Sequence, residues 1–173
     1  IVPAFYACYE EDGSISPDRA RKLTRHLIRK GVQALYVGGS SGECIYQTAA
    51  ERKLLLEAVI EEAAGQLPVY AHVACNSIEE SRMLAAHAQA HGAAAIFAIP
   101  PIYFHLPESS IADYWNAISD AAPETDFFIY NIPQLAGTAL TVSLLREMMK
   151  NPRLAGVKNS SMPVQDIQMW LDE

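Results

Sequence analysis

Ala93-Ala-Ala-Ile-Phe-Ala-Ile-Pro-Pro-Ile102 is the longest apolar run in the chain, and the fold turns on how it is read. It is too short to cross a bilayer, and Pro100 and Pro101 break it before its end. Gly92, immediately before it, suits the end of a preceding helix. The run therefore reads as a strand that is apolar on both faces, as a strand covered by helices is, and that enters a loop at the prolines. Working outward, comparable β-rich runs recur at nearly even spacing: Val2–Ala7, Ala34–Val37, Val69–Val73, Ala94–Ile99 (the core of the run above), Phe127–Tyr130 and Leu154–Val157.

The segments between these runs carry helix signals. Ser16-Pro17 places proline at the first helical position, Thr48 with Glu51 and Ser77 with Glu80 read as capping boxes, and Thr141 stands before Leu144 and Leu145. Gly31 and Gly92 fall where C-terminal caps belong. A segment from Ser109 to Ala121 has Ile111, Tyr114, Trp115 and Ile118 at helical spacing, and side chains of that size are core rather than a cofactor box. Strand and helix alternating in this way make βα units and a parallel sheet, either open and doubly wound or closed into an eight-stranded barrel. No GxGxxG follows the first run and no GxxxxGK[ST] occurs, so dinucleotide and P-loop chemistry are not indicated and the barrel is favoured. The expected architecture is α/β, a TIM (β/α)8 barrel. Such a barrel needs roughly 250 residues. Residues 1–173 are accordingly expected to form a single barrel domain comprising about the first six βα units, incomplete at the C-terminus with strands 7 and 8 missing.

Half of the residues are hydrophobic, enough for one sizeable core. The net charge of −7, with no long basic run, offers nothing to phosphate backbones or anionic lipids, so neither nucleic acid nor membrane is an expected partner. Three cysteines without a CxxC spacing argue against a disulfide framework or a structural zinc site and point to a reducing, cytoplasmic setting. The chain opens at Ile1 with no signal-peptide pattern, so no targeting segment is expected. His87 and His91 stand four apart, but Ala-Gln-Ala between them supplies no general base and there is no HExxH. They read as a solvated pair on an outer helix, and no metal is expected.

In a barrel the chemistry gathers at the C-terminal ends of the strands. The second run leads into Gly38-Gly-Ser-Ser-Gly-Glu43, a tight turn whose amides and hydroxyls suit a carboxylate, although an ordinary glycine turn looks the same. The fifth leads into Tyr130-Asn-Ile-Pro133, where a phenol meets the barrel mouth or is simply a hydrogen-bonded core tyrosine. The sixth leads into Gly156-Val-Lys-Asn-Ser-Ser161. A lysine finishing an apolar run is either a snorkelling surface residue or, partly desolvated, an amine lowered from its usual pKa of about 10.4 and able to attack a ketone.

In order, spacing and strand context, these three strings resemble the dihydrodipicolinate synthase and N-acetylneuraminate lyase family of pyruvate-dependent class I aldolases. The likeness extends to His72-Val-Ala-Cys-Asn-Ser77 and Pro100-Pro-Ile-Tyr-Phe104, and so runs through nearly the whole chain. The resemblance implies that Lys158 forms a Schiff base with pyruvate and that Tyr130 shuttles protons. It further implies that Ser40, Ser41 and Gly39 hold the pyruvate carboxylate, with Ser40 also joining a relay to Tyr130. Tyr103 matches a tyrosine that completes the relay across a subunit interface, which implies a homotetramer. Dihydrodipicolinate synthases usually carry arginine where Leu135 stands, and leucine cannot pair with a second substrate carboxylate. The local sequence looks more like the N-acetylneuraminate lyases of the family, with Ser160 near the sugar. The implied reaction is reversible cleavage of a 2-keto sugar acid to pyruvate and N-acetylmannosamine, with no cofactor beyond the covalent Schiff base. The alternatives are a dihydrodipicolinate synthase or another pyruvate-dependent aldolase, and a non-catalytic ligand-binding relative.

Overall fold

A computed structural model describes all of residues 1–173. Five strands form one parallel sheet: β1 (Leu35–Val37), β2 (Val69–His72), β3 (Ala95–Ala98), β4 (Asp126–Asn131) and β5 (Leu154–Asn159). Their spatial order is their order in sequence, with no reversal. A doubly wound sheet needs a point where the order switches, whereas a barrel wall does not. Before β1 runs α1 (Pro17–Arg29), between the strands α2 (Ala49–Ala63), α3 (Ile78–Ala90), α4 (Glu108–Asp120), the single turn α5 (Pro133–Ala136) and α6 (Val142–Met148), and after β5 α7 (Gln165–Leu171).

The predicted first strand, Val2–Ala7, is not one. It meets the sheet only at a parallel bridge between Ala4 and Tyr36, with Tyr36 N donating to the Pro3 carbonyl and Phe5 N to the Tyr36 carbonyl. Proline has no amide to add to a ladder, and two bonds to one neighbour do not make a strand. The sheet accordingly has five strands where six runs were predicted.

Helix starts follow the sequence signals. The Ser16, Thr48 and Thr141 hydroxyls each accept the amide three residues on, and Glu51 closes the Thr48 box by accepting the Thr48 amide at 2.7 Å. At Ser77 the predicted box is only half formed. The hydroxyl accepts from Glu80 N, but Glu80 does not reach back, and its neighbour Ser81 instead donates to the Ser77 carbonyl and the Cys75 carbonyl.

Alternation along each strand separates two cores. Leu35, Val37, Val69, Ala71, Ile96, Ala98, Phe127 and Ile129 belong to the large cluster shared with the helices, where Trp115 of α4 is fully buried and ties its Nε1 to the Ile99 carbonyl at 3.2 Å. Tyr36, Ala95, Phe97 and Tyr130 form the other cluster, on the inner side. There Phe97 stacks on Phe128 at 4.6 Å and meets Tyr36 edge-on at 5.0 Å. The inner side therefore carries polar-tipped aromatics at the strand ends, and the site is built there.

Candidate active site

Parallel pairing of β4 with β5 places Tyr130 directly beside Lys158, in a register that is re-set by a bulge at Phe127 and Phe128. Both side chains then project from the same face of the sheet. Lys158 lies within β5 and not after it, and its Nζ sits 3.3 Å from the centroid of the Tyr130 ring and 5.0 Å from that of Tyr36. It donates to Ser160 Oγ at 3.3 Å. Burial lowers the Lys158 pKa, against an opposing pull from the Tyr130 phenol. For Tyr130, burial raises the pKa, but the Lys158 amine and the hydroxyls of Ser40 and Ser160 outweigh it and leave the phenol more acidic than usual. An amine and a phenol that are each easier to deprotonate than in water are the pair that nucleophilic and acid–base chemistry needs.

The Gly38–Glu43 turn meets this pair from β1, with Ser40 Oγ 3.1 Å from Tyr130 Oη. Gly38 adopts a left-handed conformation, with φ of +73°, and turns its carbonyl toward the buried His72 Nδ1, 2.9 Å away. The amides of Gly42, Glu43 and Cys44 donate to carbonyls inside the turn. None of those closing bonds uses the amides of Gly39, Ser40 or Ser41, which leaves them for the anion-binding capacity expected of the turn.

Gly39 lies flat against Tyr36, and a Cβ there would stand 2.4 Å from Tyr36 Cε1. Phe97 and Tyr130 box in the Tyr36 ring, the latter at 5.8 Å, so the ring has little room to yield. We expect Gly39→Ala to cost about 1–3 kcal/mol, as overpacking does, and to lower the melting temperature measured by thermal denaturation. A variant as stable as the parent would show that Tyr36 moves freely.

Two residues that the sequence reading did not single out hold the turn from behind. Arg52 of α2, only 5% exposed, donates to the carbonyls of His72 at 2.7 Å and Ala74 at 2.8 Å. The signal was present: Arg52, Leu55, Leu56, Val59 and Ala63 form one helical stripe, so an arginine stood among core positions. His72 donates through Nδ1 to the Gly38 carbonyl, which leaves Nε2 as a buried acceptor without a protein partner. Burial, with the Arg52 and Lys158 charges, holds the His72 pKa well below normal, so the ring is neutral.

A cavity of about 260 Å³ opens beside Tyr130, lined by Ser40, Ile45, His72, Ile132 and Leu135 among others. Lys158 faces a neighbouring hollow between Tyr36, Tyr70 and Phe97. Lys158, Tyr130, Ser40 and Ser160 thus come together, Gly39 and Ser41 lie in the adjoining turn, and Leu135 stands across the cavity. Tyr103 does not join them. It is 86% exposed, with φ of +85° and its ring edge-on to Phe104.

Residues 1–172 match the profile of the Dihydrodipicolinate synthetase family. Over 170 residues the chain is 63% identical to the N-acetylneuraminate lyase of Mediterraneibacter gnavus, an alignment covering 98% of this chain and 54% of that protein. It superposes with a TM-score of 0.97 on a catalytic lysine mutant of Ruminococcus gnavus sialic acid aldolase, 62% identical, covering 99% of this chain and 56% of that one. A third likeness is to CdNal from Clostridium difficile in complex with mannosamine, with a TM-score of 0.90, 29% identity, and coverage of 94% and 56%. The chain spans about half the length of the curated relatives it matches. The fold is that of the TIM barrel, and the five sequential strands are an arc of its wall.

Proposed function

Because the chain belongs to the dihydrodipicolinate synthetase family, we propose that the protein is a Schiff-base-forming carbon–carbon lyase that cleaves N-acetylneuraminate reversibly to pyruvate and N-acetylmannosamine. The observation that carries this reading is the Lys158 amine lodged 3.3 Å from the Tyr130 ring centroid, with Ser40 on the phenol. Lys158 attacks the C2 keto carbon of the open-chain sugar acid, and loss of water gives a protonated imine. The substrate carboxylate rests on the Ser40–Ser41 turn. Tyr130, helped by that carboxylate, takes the C4 hydroxyl proton. The C3–C4 bond breaks, its electron pair passes into the imine, and N-acetylmannosamine departs as the aldehyde. Protonation of the resulting enamine at C3 and hydrolysis release pyruvate and return the amine. No metal or organic cofactor enters, since the imine is itself the electron sink.

Ser160, on the Lys158 amine, stands near the sugar. Leu135 on the cavity wall weighs against a dihydrodipicolinate synthase, because an apolar side chain cannot bind that enzyme's second carboxylate. Tyr103 reaches a site only from a neighbouring subunit, so the active form in this reading is a homotetramer. A cytoplasmic setting accords with three free cysteines, and no helix is long and apolar enough to cross a membrane.

Borohydride reduction in the presence of pyruvate tests the core of this reading. We expect a three-carbon adduct on Lys158, located by peptide mass spectrometry of the intact protein. A lysine left unmodified at saturating pyruvate would leave only a non-catalytic binder.

A further inference from the structure

The outer helical layer, away from Lys158, holds a second cluster of chemistry-bearing side chains. His87 and His91 sit one turn apart, with ring centroids 4.1 Å from each other, and the sequence suggested a solvated pair on an outer helix. The structure supplies the partner from another helix. Glu57 of α2 brings Oε1 to 2.7 Å from His87 Nε2 and 3.9 Å from His91 Nε2. His87 is not solvated, because its side chain is only 10% exposed. One ligand atom from each of the three residues lies within 4.8 Å of the other two.

The ring orientations suit ligation. His91 Nδ1 donates to the His87 carbonyl at 2.9 Å, which directs its Nε2 to the Glu57 side, the arrangement that orients metal-binding imidazoles. Ligation through His87 Nε2 moves the proton shared with Glu57 to Nδ1, a buried nitrogen with no other hydrogen-bond partner.

We propose that Glu57, His87 and His91 form a binding site for a borderline divalent transition-metal ion, with zinc as the reference ion, that clips α2 to α3. Two imidazole nitrogens and one carboxylate oxygen are the ligand set such ions prefer, at bond lengths of about 2.0–2.2 Å. Those lengths bring ligand atoms to roughly 3.3 Å of one another. His87 and Glu57 are already closer than that, and His91 Nε2, at the exposed end of α3, lies 3.9 Å from Glu57 Oε1. Water completes the coordination. The cluster lies in the outer helical layer, joining α2 to α3, so the ion acts on the helix pair. Because α2 also carries Arg52, the clip reinforces the layer that supports the active-site turn.

Calorimetric titration of the intact protein with zinc chloride, paired with thermal unfolding, decides the matter. We expect saturable one-site binding and a raised melting temperature. His91→Ala and Glu57→Gln should each weaken binding by at least about tenfold and abolish the rise. His91 is exposed at a helix end, so its variant folds, and His26→Ala serves as the unchanged control. Absence of zinc binding overturns the proposal. So does binding that survives both variants, which would place the ion elsewhere on the protein.

Discussion

Lys158→Ala is expected to lower kcat for N-acetylneuraminate cleavage by roughly 10³-fold or more, the scale on which enzymes lose activity when a covalent nucleophile is removed. Lys158→Arg should be as inactive. It keeps the positive charge over the Tyr130 ring, but a guanidinium has no lone pair to give at any working pH. The comparison therefore separates nucleophile from electrostatic anchor. Both variants should fold with near-parent stability, because Lys158 is half-buried and takes part in no ion pair among the described contacts. A coupled assay for pyruvate supplies the rates. Turnover by the arginine variant within tenfold of the parent would remove the Schiff base from the reaction. The lowered pKa of Lys158 adds a signed expectation. Imine formation needs the neutral amine, so its rate rises with pH and levels off below the ordinary lysine value of about 10.4.

Tyr130→Phe is the second large effect. It removes one oxygen and keeps the ring under the ammonium, so cation–π contact and packing persist while proton transfer is lost. We expect kcat to fall about 10²–10⁴-fold, the usual contribution of a positioned acid–base group. The variant should still yield the borohydride adduct at Lys158, which distinguishes it from the lysine variants. Its pH profile should also lose the rise that the parent shows as Tyr130 ionises, a rise lying below the ordinary tyrosine value because the Lys158 amine and two hydroxyls stabilise the phenolate. A kcat within threefold of the parent, or an unchanged profile, would place the proton shuttle on another group.

Much of this was legible in the chain itself. Alternating apolar runs and capping signals located five strands, the starts of four helices and the extent of α4 to within a residue or two, because burial on both faces and orphaned helix amides leave local marks. The candidate triad Lys158, Tyr130 and Ser40 was readable from three strings at strand ends, and Leu135 from its place in one of them. What the sequence misjudged depended on neighbours. Val2–Ala7 had a strand's composition, but only two hydrogen bonds to β1 were available to it. Ser77 and Glu80 had a capping box's spacing, but the Glu80 side chain does not reach the Ser77 amide and only the hydroxyl half forms.

Residue type and order alone determined the class of fold, the ends at which chemistry gathers and the amine that could perform it. Tertiary structure decided which groups share a face and what surrounds them. It set the β4–β5 register that lays Lys158 on Tyr130, closed Gly39 against Tyr36, braced the turn with Arg52 and His72, and carried Glu57 to the histidine pair. The reason is one of range: helix caps and strand patterns are written within a few neighbouring residues, whereas a pKa or a metal-binding triad depends on groups that meet only when distant segments pack.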